Sequence, residues 1–176
     1  MLQNDINKHQ IFHIDADILL NFLWSDKPDK HYLARNLFTK HNVGDIKIKI
    51  NKFALGEVIR NIIIKNINNY YDDINKLINL FKENKLEIYE MDDPENKDDL
   101  TTQLVDVITQ LLESIKELNN INKNDSRIGI GDIINLAFFF LDKEATDFIT
   151  FDGKIIGSPK LNNHLKKFFG KNISSL

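Results

Sequence analysis

The sequence predicts a three-layer α/β/α domain built around a mostly parallel central sheet of four to five strands. The first observation is that short apolar runs of strand length alternate with longer runs of helical period. The second is that helices separate most of the strand candidates, and parallel neighbours need such crossover connections. The third is the composition, since 176 residues with 42% apolar and 28% charged residues are typical of one soluble globular domain.

The predicted elements of the amino-terminal half follow from apolar runs and their period. Strand 11–15 is an apolar run, and the apolar helix 16–24 follows it directly. A second strand at 46–50 precedes helix 52–66, which Asn51 can cap. The remaining predicted elements of this half are helix 29–41, helix 70–83 and strand 86–90.

The carboxyl-terminal half is predicted to hold a long helix, a buried helix and a last strand. Apolar residues recur at helical spacing through helix 98–118, a stripe that indicates core or dimer surface rather than a ligand site. Helix 131–142 is apolar almost all round after its first turn, so we expect it to be a central buried element. Strand 147–151 follows, and a final short helix is predicted around 162–169.

The composition also limits the classes of function. No apolar run approaches the roughly 20 residues of a membrane-spanning helix, and the amino terminus lacks the basic and apolar regions of a secretory signal. The absence of cysteine excludes disulfides, thiolate zinc sites and cysteine nucleophiles. A single cytoplasmic domain is the simplest interpretation, with its core at about 11–157 and a basic tail at 158–176.

The charge distribution is more informative than the net charge of −3. Residues 153–176 carry five lysines and no acid. A basic segment beside a metal-filled acidic site can attract nucleic acid despite a negative total, although the alternative of plain solvated surface stays open. Four of these lysines are candidates for contacts with substrate phosphates, namely Lys154, Lys160, Lys166 and Lys167.

Four acidic residues stand where predicted strands end or predicted helices begin. Asp15 closes the first strand, and Asp152 follows the last one. Glu57 lies in the helix after the second strand, and Asp132 opens the buried helix. The carboxyl ends of parallel strands meet at one edge, where α/β folds place their ligand sites. Four carboxylates there would repel one another unless cations neutralised them, which suggests divalent-metal and phosphate chemistry.

Two of these acids, Asp132 and Glu57, also have a purely structural alternative. Asp15 is the strongest candidate, because an ionised side chain between two buried apolar runs would be poorly solvated without a partner. Asp132 stands in a first helical turn, where aspartate is common for capping alone. The alternative for Glu57 is a surface pair with Arg60, three residues on, worth about 0.2–0.5 kcal/mol.

In these residues the chain resembles the PIN-domain nucleases, and among them the toxin ribonucleases of the VapC type. The matching pieces are residues 14–20, 56–58, 131–137 and 148–152. Their order, spacing and secondary-structure context agree with the family from about residue 11 to 157. Each piece is short, but the four together in this order are fairly specific.

The resemblance implies a metal-dependent endoribonuclease. The implied catalytic residues, which would also hold one or two Mg²⁺ or Mn²⁺ ions, are Asp15, Glu57, Asp132 and Asp152. Thr150 would support the site through its hydroxyl, and Asp17 and Asp147 are assigned supporting roles, Asp147 at the strand entry away from the site. Hydrolysis of RNA would leave a 3′-hydroxyl and a 5′-phosphate. Toxins of this type are usually dimers bound to a small antitoxin, so a homodimer and an antitoxin partner are also implied.

Three other functions remain open on the sequence alone. A stand-alone nuclease of RNA processing has the same residues, and so does a catalytically silent module that binds RNA or protein. The run from Asp15 to Leu20 also resembles the first motif of haloacid-dehalogenase-like phosphatases, with Asp15 as nucleophile and Asp17 as acid or base. That family needs a closely spaced downstream acidic pair, whereas the acid after Asp132 is Asp142.

Overall fold

The computed structural model describes residues 10–65, 67, 70–90, 97–119, 128–157, 162–163, 166–167 and 170–176. In chain order its elements are β1 (Gln10–Ile14), α1 (Ala16–Leu23), α2 (Pro28–Asn42), β2 (Ile46–Asn51), α3 (Lys52–Lys65), α4 (Tyr70–Asn84), β3 (Glu87–Tyr89), α5 (Lys97–Asn119), α6 (Ile130–Leu141), β4 (Asp147–Ile149), α7 (Gly153–Ile156) and β5 (Asn172–Ser174).

The five strands form one sheet in the order β3-β2-β1-β4-β5, and every neighbouring pair is parallel. The central strand β1 pairs with β2 through His13 opposite Lys49, and with β4 through Ile14 opposite Ile149. All five carboxyl ends therefore meet at the same edge of the sheet. The predicted α/β class with a parallel sheet is confirmed.

Helices cover both faces of this sheet, which confirms the predicted three layers. On one face α1 to α4 contribute side chains such as Leu19 and Phe38 to a buried apolar cluster. On the other face α5 and α6 contribute Leu111 and Leu136, which pack with Phe148 of β4. None of the helices in the described part of the chain is long and apolar enough to cross a membrane.

Helix α6 is tied to the sheet by a buried charged group at its end. Asp142, the residue that caps α6, accepts hydrogen bonds from His13 Nε2 at 2.8 Å and from Lys49 Nζ at 3.1 Å. Both donors lie on neighbouring strands, and Lys49 is only 3% exposed. Buried charges need such pairing to be tolerated. The group fixes α6 across β1 and β2, with its first turn at the carboxyl edge of the sheet.

The predictions differ from the structure mainly near the carboxyl terminus. The described residues of the predicted helix 162–169, at 162–163 and 166–167, are helical. Strand β5, which lies in the segment interpreted as a basic tail, was not predicted, and neither was the single turn α7. A three-residue strand has too few positions to display an alternating pattern, and β5 is defined by its pairing with β4.

Candidate active site

Asp15 lies at the carboxyl end of the central strand and caps α1. Its Oδ1 accepts hydrogen bonds from the Ala16 backbone N–H at 2.7 Å and from Asn135 Nδ2 at 3.1 Å. Its Oδ2 accepts one from the Thr150 hydroxyl at 3.0 Å. The side chain is only 5% exposed. Burial, reinforced by the negative charge of Asp17, raises the pKa of Asp15 to about 8.

Thr150 and Asp17 accept hydrogen bonds from the backbone of the segment that follows β4. The Thr150 hydroxyl donates to Asp15 and accepts a hydrogen bond from the Asp152 backbone N–H at 2.9 Å. Asp17 Oδ2 accepts one from the Phe151 backbone N–H at 3.0 Å, and its buried Oδ1 has no hydrogen-bond partner among the described residues. Burial is the main cause that raises the pKa of Asp17 to about 6. Both residues therefore contact the segment that carries Asp152.

Glu57 reaches the same edge of the sheet from α3. Asn51 caps the start of α3, as predicted, by accepting a hydrogen bond from the Ala54 backbone N–H at 2.8 Å. Glu57 Oε2 accepts a 3.0 Å hydrogen bond from Asn135 Nδ2, and a methyl group added at Gly131 would lie 3.2 Å from Glu57 Oε1. The glycine therefore leaves room for the carboxylate beside the first turn of α6. Burial, together with the charge of Asp132, raises the pKa of Glu57.

Asp132 and Asp152 flank this pair at the starts of two helices. Asp132 Oδ2 accepts a hydrogen bond from the Gly129 backbone N–H at 2.8 Å, and Asp152 Oδ1 accepts one from the Lys154 backbone N–H at 2.8 Å. Both side chains are half-buried. Burial raises the pKa of Asp132, and the negative charge of Asp152 adds to this effect. The sequence allowed either a helix-capping role or a site role for Asp132. In the structure Asp132 makes the capping contact and also lies at the site.

The structure brings the four predicted acids, and Asp17 with them, into one electrostatic cluster. Asp15 is affected by the charges of Asp17 and Asp132. Asp132 in turn affects Glu57, and Asp152 affects both Asp132 and Asp17. The acids come from four separate stretches of sequence and meet at the carboxyl edge of the sheet. Their assignment as catalytic residues stays a prediction.

Asp147 does not join this cluster. It stands at the first position of β4, opposite Phe12 of β1, and its Oδ1 accepts a 3.5 Å hydrogen bond from the Ser174 hydroxyl. It is two residues before the end of a strand that rises about 3.3 Å per residue. Among the described residues, the side chain is hydrogen-bonded to β5 and not to Asp15 or Asp152, so no contact in that part of the chain supports the role assigned to Asp147.

The predicted substrate-binding lysines divide into three groups. Lys154 is exposed on α7, and its positive charge lowers the pKa of Asp132. Lys166 and Lys167 are exposed in the segment before β5. Lys160 lies outside the described residues. Among the described candidates, Lys154 has an electrostatic effect on a member of the acidic cluster.

Two residues of the site were missed from the sequence. Asn135 is fully buried and bridges Asp15 and Glu57, and its spacing of three residues from Asp132 on an otherwise apolar helix was an available signal. Lys30, from the first turn of α2, donates to the Phe151 backbone carbonyl at 3.4 Å, and its charge lowers the pKa of Asp17. No local pattern marks Lys30, because its partners are far away in sequence.

The chemistry of these donors suits a divalent cation. Mg²⁺ and Mn²⁺ prefer oxygen ligands, and carboxylates are the common protein source. The buried, unpartnered Asp17 Oδ1 and the raised pKa of Asp15 both indicate negative charge that the protein itself leaves poorly compensated. A cation at this edge of the sheet would supply that compensation.

The present side-chain positions are nevertheless not those of a closed metal site. Within the described ranges, no three histidine, aspartate or glutamate side chains are grouped so that they could hold one ion. Asp132 and Asp152 each point to a backbone N–H of their own helix start, and Asn135 stands between Asp15 and Glu57.

Comparison with known proteins supports the fold. No family model matches the sequence, and no curated protein matches it. Among solved structures, the chain is similar to a chain in the crystal structure of VapBC2 from Rickettsia felis bound to a DNA fragment from their promoter. The TM-score is 0.59 at 13% sequence identity, over 94% of this chain and 98% of the other. This likeness supports the α/β fold with a parallel sheet described above.

Proposed function

We propose that the protein is a metal-dependent endoribonuclease that hydrolyses RNA phosphodiester bonds with Mg²⁺ or Mn²⁺. The observation that carries the proposal is the cluster of acids at the carboxyl edge of a parallel sheet, with a buried aspartate at its centre. Burying several carboxylates together lowers the stability of the fold unless a bound cation compensates their charge, and such clusters are typical of functional sites. The proposed ligands are Asp15, Glu57, Asp132 and Asp152.

The protein residues have separable tasks in this proposal. A bound divalent ion would supply an activated water and neutralise charge on the attacked phosphate. Thr150 holds the Asp15 carboxylate in one orientation through its hydroxyl. In the net reaction, the water oxygen bonds to phosphorus, the bond to the 3′-oxygen breaks, and that oxygen takes a proton. The products are a 3′-hydroxyl and a 5′-phosphate.

Positive charge beside the cluster would bind the RNA backbone. Lys154 and Lys30 both act electrostatically on the acids, the first on Asp132 and the second on Asp17. Lysine contacts to phosphate give affinity but read no sequence. Lys160, Lys166 and Lys167 belong to the same proposal as contacts to the RNA backbone.

The biological setting we propose is that of a toxin in a toxin–antitoxin pair. One similar solved structure is that of VapBC2 bound to a promoter DNA fragment, and the sequence resembles VapC-type toxins at four motifs. An antitoxin partner, a homodimer and a cytoplasmic location belong to this proposal. A stand-alone nuclease of RNA processing would use the same site.

One observation favours a second candidate, a catalytically silent module that binds RNA or protein. Two of the four acids cap their own helices, and no three of the described candidate ligands are grouped around a common point. This candidate predicts RNA binding without cleavage under any metal condition.

The test is cleavage of mixed-sequence RNA by purified protein in Mg²⁺, in Mn²⁺ and in EDTA. We expect cleavage only with metal, and a loss of at least about a hundredfold in Asp15→Asn, because asparagine preserves the helix cap but removes the charge. Asp147→Asn is the matched control, because it removes a carboxylate at the first residue of β4, away from the carboxyl edge of the sheet. This variant should cleave RNA like the wild type. Cleavage in EDTA, or full activity in Asp15→Asn, contradicts the proposal.

A further inference from the structure

The amide of Asn135 links two carboxylates that come from different parts of the chain. Its Nδ2 lies 3.1 Å from Asp15 Oδ1 and 3.0 Å from Glu57 Oε2. Two N–H groups on one nitrogen can serve both acceptors at once. Asp15 follows β1 and Glu57 belongs to α3, so this single side chain joins the central strand to a helix on the opposite layer.

Asparagine at this position of the core lowers the stability of the fold. Asn135 is fully buried in α6 among apolar residues, and its Oδ1 has no hydrogen-bond partner among the described residues. A buried amide with half of its hydrogen-bonding capacity unused is destabilising, whereas an apolar side chain has no such polar group to bury. The two bonds to charged acceptors are the compensation that the structure provides.

We propose that Asn135 is a positioning residue that holds the Asp15 and Glu57 carboxylates together, ready for a divalent ion. This inference rests on the proposed nuclease function. The amide nitrogen lies between the two carboxyl groups and donates to both, so it fixes the position of one oxygen of each relative to the other. Each carboxylate accepts about four hydrogen bonds or metal contacts in total, so the contact with Asn135 leaves oxygen lone pairs for an ion.

The role predicts a loss of metal binding when the donors are removed. In Asn135→Leu, which keeps the number and branching of the heavy atoms but has no N–H, Mn²⁺ binding measured by calorimetry should weaken by about ten- to a hundredfold, as is usual for groups that orient metal ligands. The kcat for RNA cleavage should fall with it, while the KM for RNA stays the same. Asn135→Ser keeps one donor and should fall between leucine and the wild type.

Asn84→Leu is the matched control for the loss of a buried amide. Asn84 is buried on α4, and its Nδ2 donates to the Leu80 backbone carbonyl of the same helix at 2.9 Å. This variant should lose stability but keep its Mn²⁺ affinity within about twofold, since it orients no carboxylate. An equal loss of Mn²⁺ affinity in both leucine variants would mark a general packing effect and overturn the inference.

The remaining outcomes separate this inference from the proposed function. Mn²⁺ affinity and kcat within twofold of the wild type in a folded Asn135→Leu overturn the inference alone. If circular dichroism shows that Asn135→Leu does not fold, Asn135→Ser decides: weakened Mn²⁺ binding supports the inference, and unchanged binding overturns it. A wild type that neither binds Mn²⁺ nor cleaves RNA contradicts the proposed function, and the inference with it.

Discussion

The buried Asp15 should make the stability of the metal-free protein fall as the pH rises. Its pKa is about 8 in the folded protein against 3.8 ordinarily. For an acid with a raised folded-state pKa, the folded protein holds a proton that the unfolded chain has already lost. The contribution to stability is therefore complete below about pH 4 and is lost progressively up to about pH 8.

The size of this effect follows from the width of that pH window. Between pH 5 and pH 7 one such group lowers the free energy of unfolding by up to about 1.4 kcal/mol per pH unit, or about 2–3 kcal/mol in total. Asp15→Asn cannot titrate and still caps α1, so its stability should depend less steeply on pH by that amount. Asp17 titrates in both proteins, which is why the difference between the two slopes is the informative quantity.

The assay is urea unfolding in EDTA at pH 5, 6, 7 and 8, followed by circular dichroism. The variant should be less stable relative to the wild type at pH 5 than at pH 8, with the gap in the free energy of unfolding changing by about 3–4 kcal/mol over these three pH units. Parallel pH profiles for the wild type and Asp15→Asn would refute the reasoning.

Two further substitutions test the packing around the site. Gly131→Ala places a methyl group 3.2 Å from Glu57 Oε1, so we expect RNA cleavage to fall about tenfold. Urea unfolding should show a free energy of unfolding that is unchanged or raised by up to about 1 kcal/mol, because alanine favours helix. Unaltered cleavage would contradict this prediction. Lys49→Met leaves the buried Asp142 with one partner fewer and should lower the free energy of unfolding by about 2–4 kcal/mol. The control Lys47→Met breaks an exposed ion pair and should lower it by less than about 1 kcal/mol. Equal losses in the two variants would contradict a stabilising role for the buried pair of Lys49 and Asp142.

The parts of this molecule that the sequence predicts are those whose signal is local. Asp15 and Asp152 were found because each directly follows an apolar strand, and parallel strands end at one edge. Helix α6 was expected to be central because it is apolar almost all round, and Asn51 was expected to cap α3 because it stands directly before that helix. Each of these inferences needs only a few neighbouring residues.

The parts that were missed depend on contacts between distant segments. Asn135 is a polar residue in an apolar helix, and only the fold shows that its amide meets Asp15 and Glu57. Lys30 comes from α2, and its approach to Asp17 depends on how that helix packs. Strand β5 is too short to show a recognisable strand pattern in the sequence, and it forms because the edge of β4 is available for pairing.

The central claim is that the acidic cluster at the carboxyl edge of the sheet holds a divalent metal ion. The most direct measurement is anomalous diffraction at the manganese edge from crystals grown with Mn²⁺. We expect a peak within about 2.5 Å of carboxylate oxygens of Asp15 and at least one of Asp132, Asp152 and Glu57. Saturating Mn²⁺ with no peak at these residues, or a peak confined to other surface carboxylates, would contradict the account.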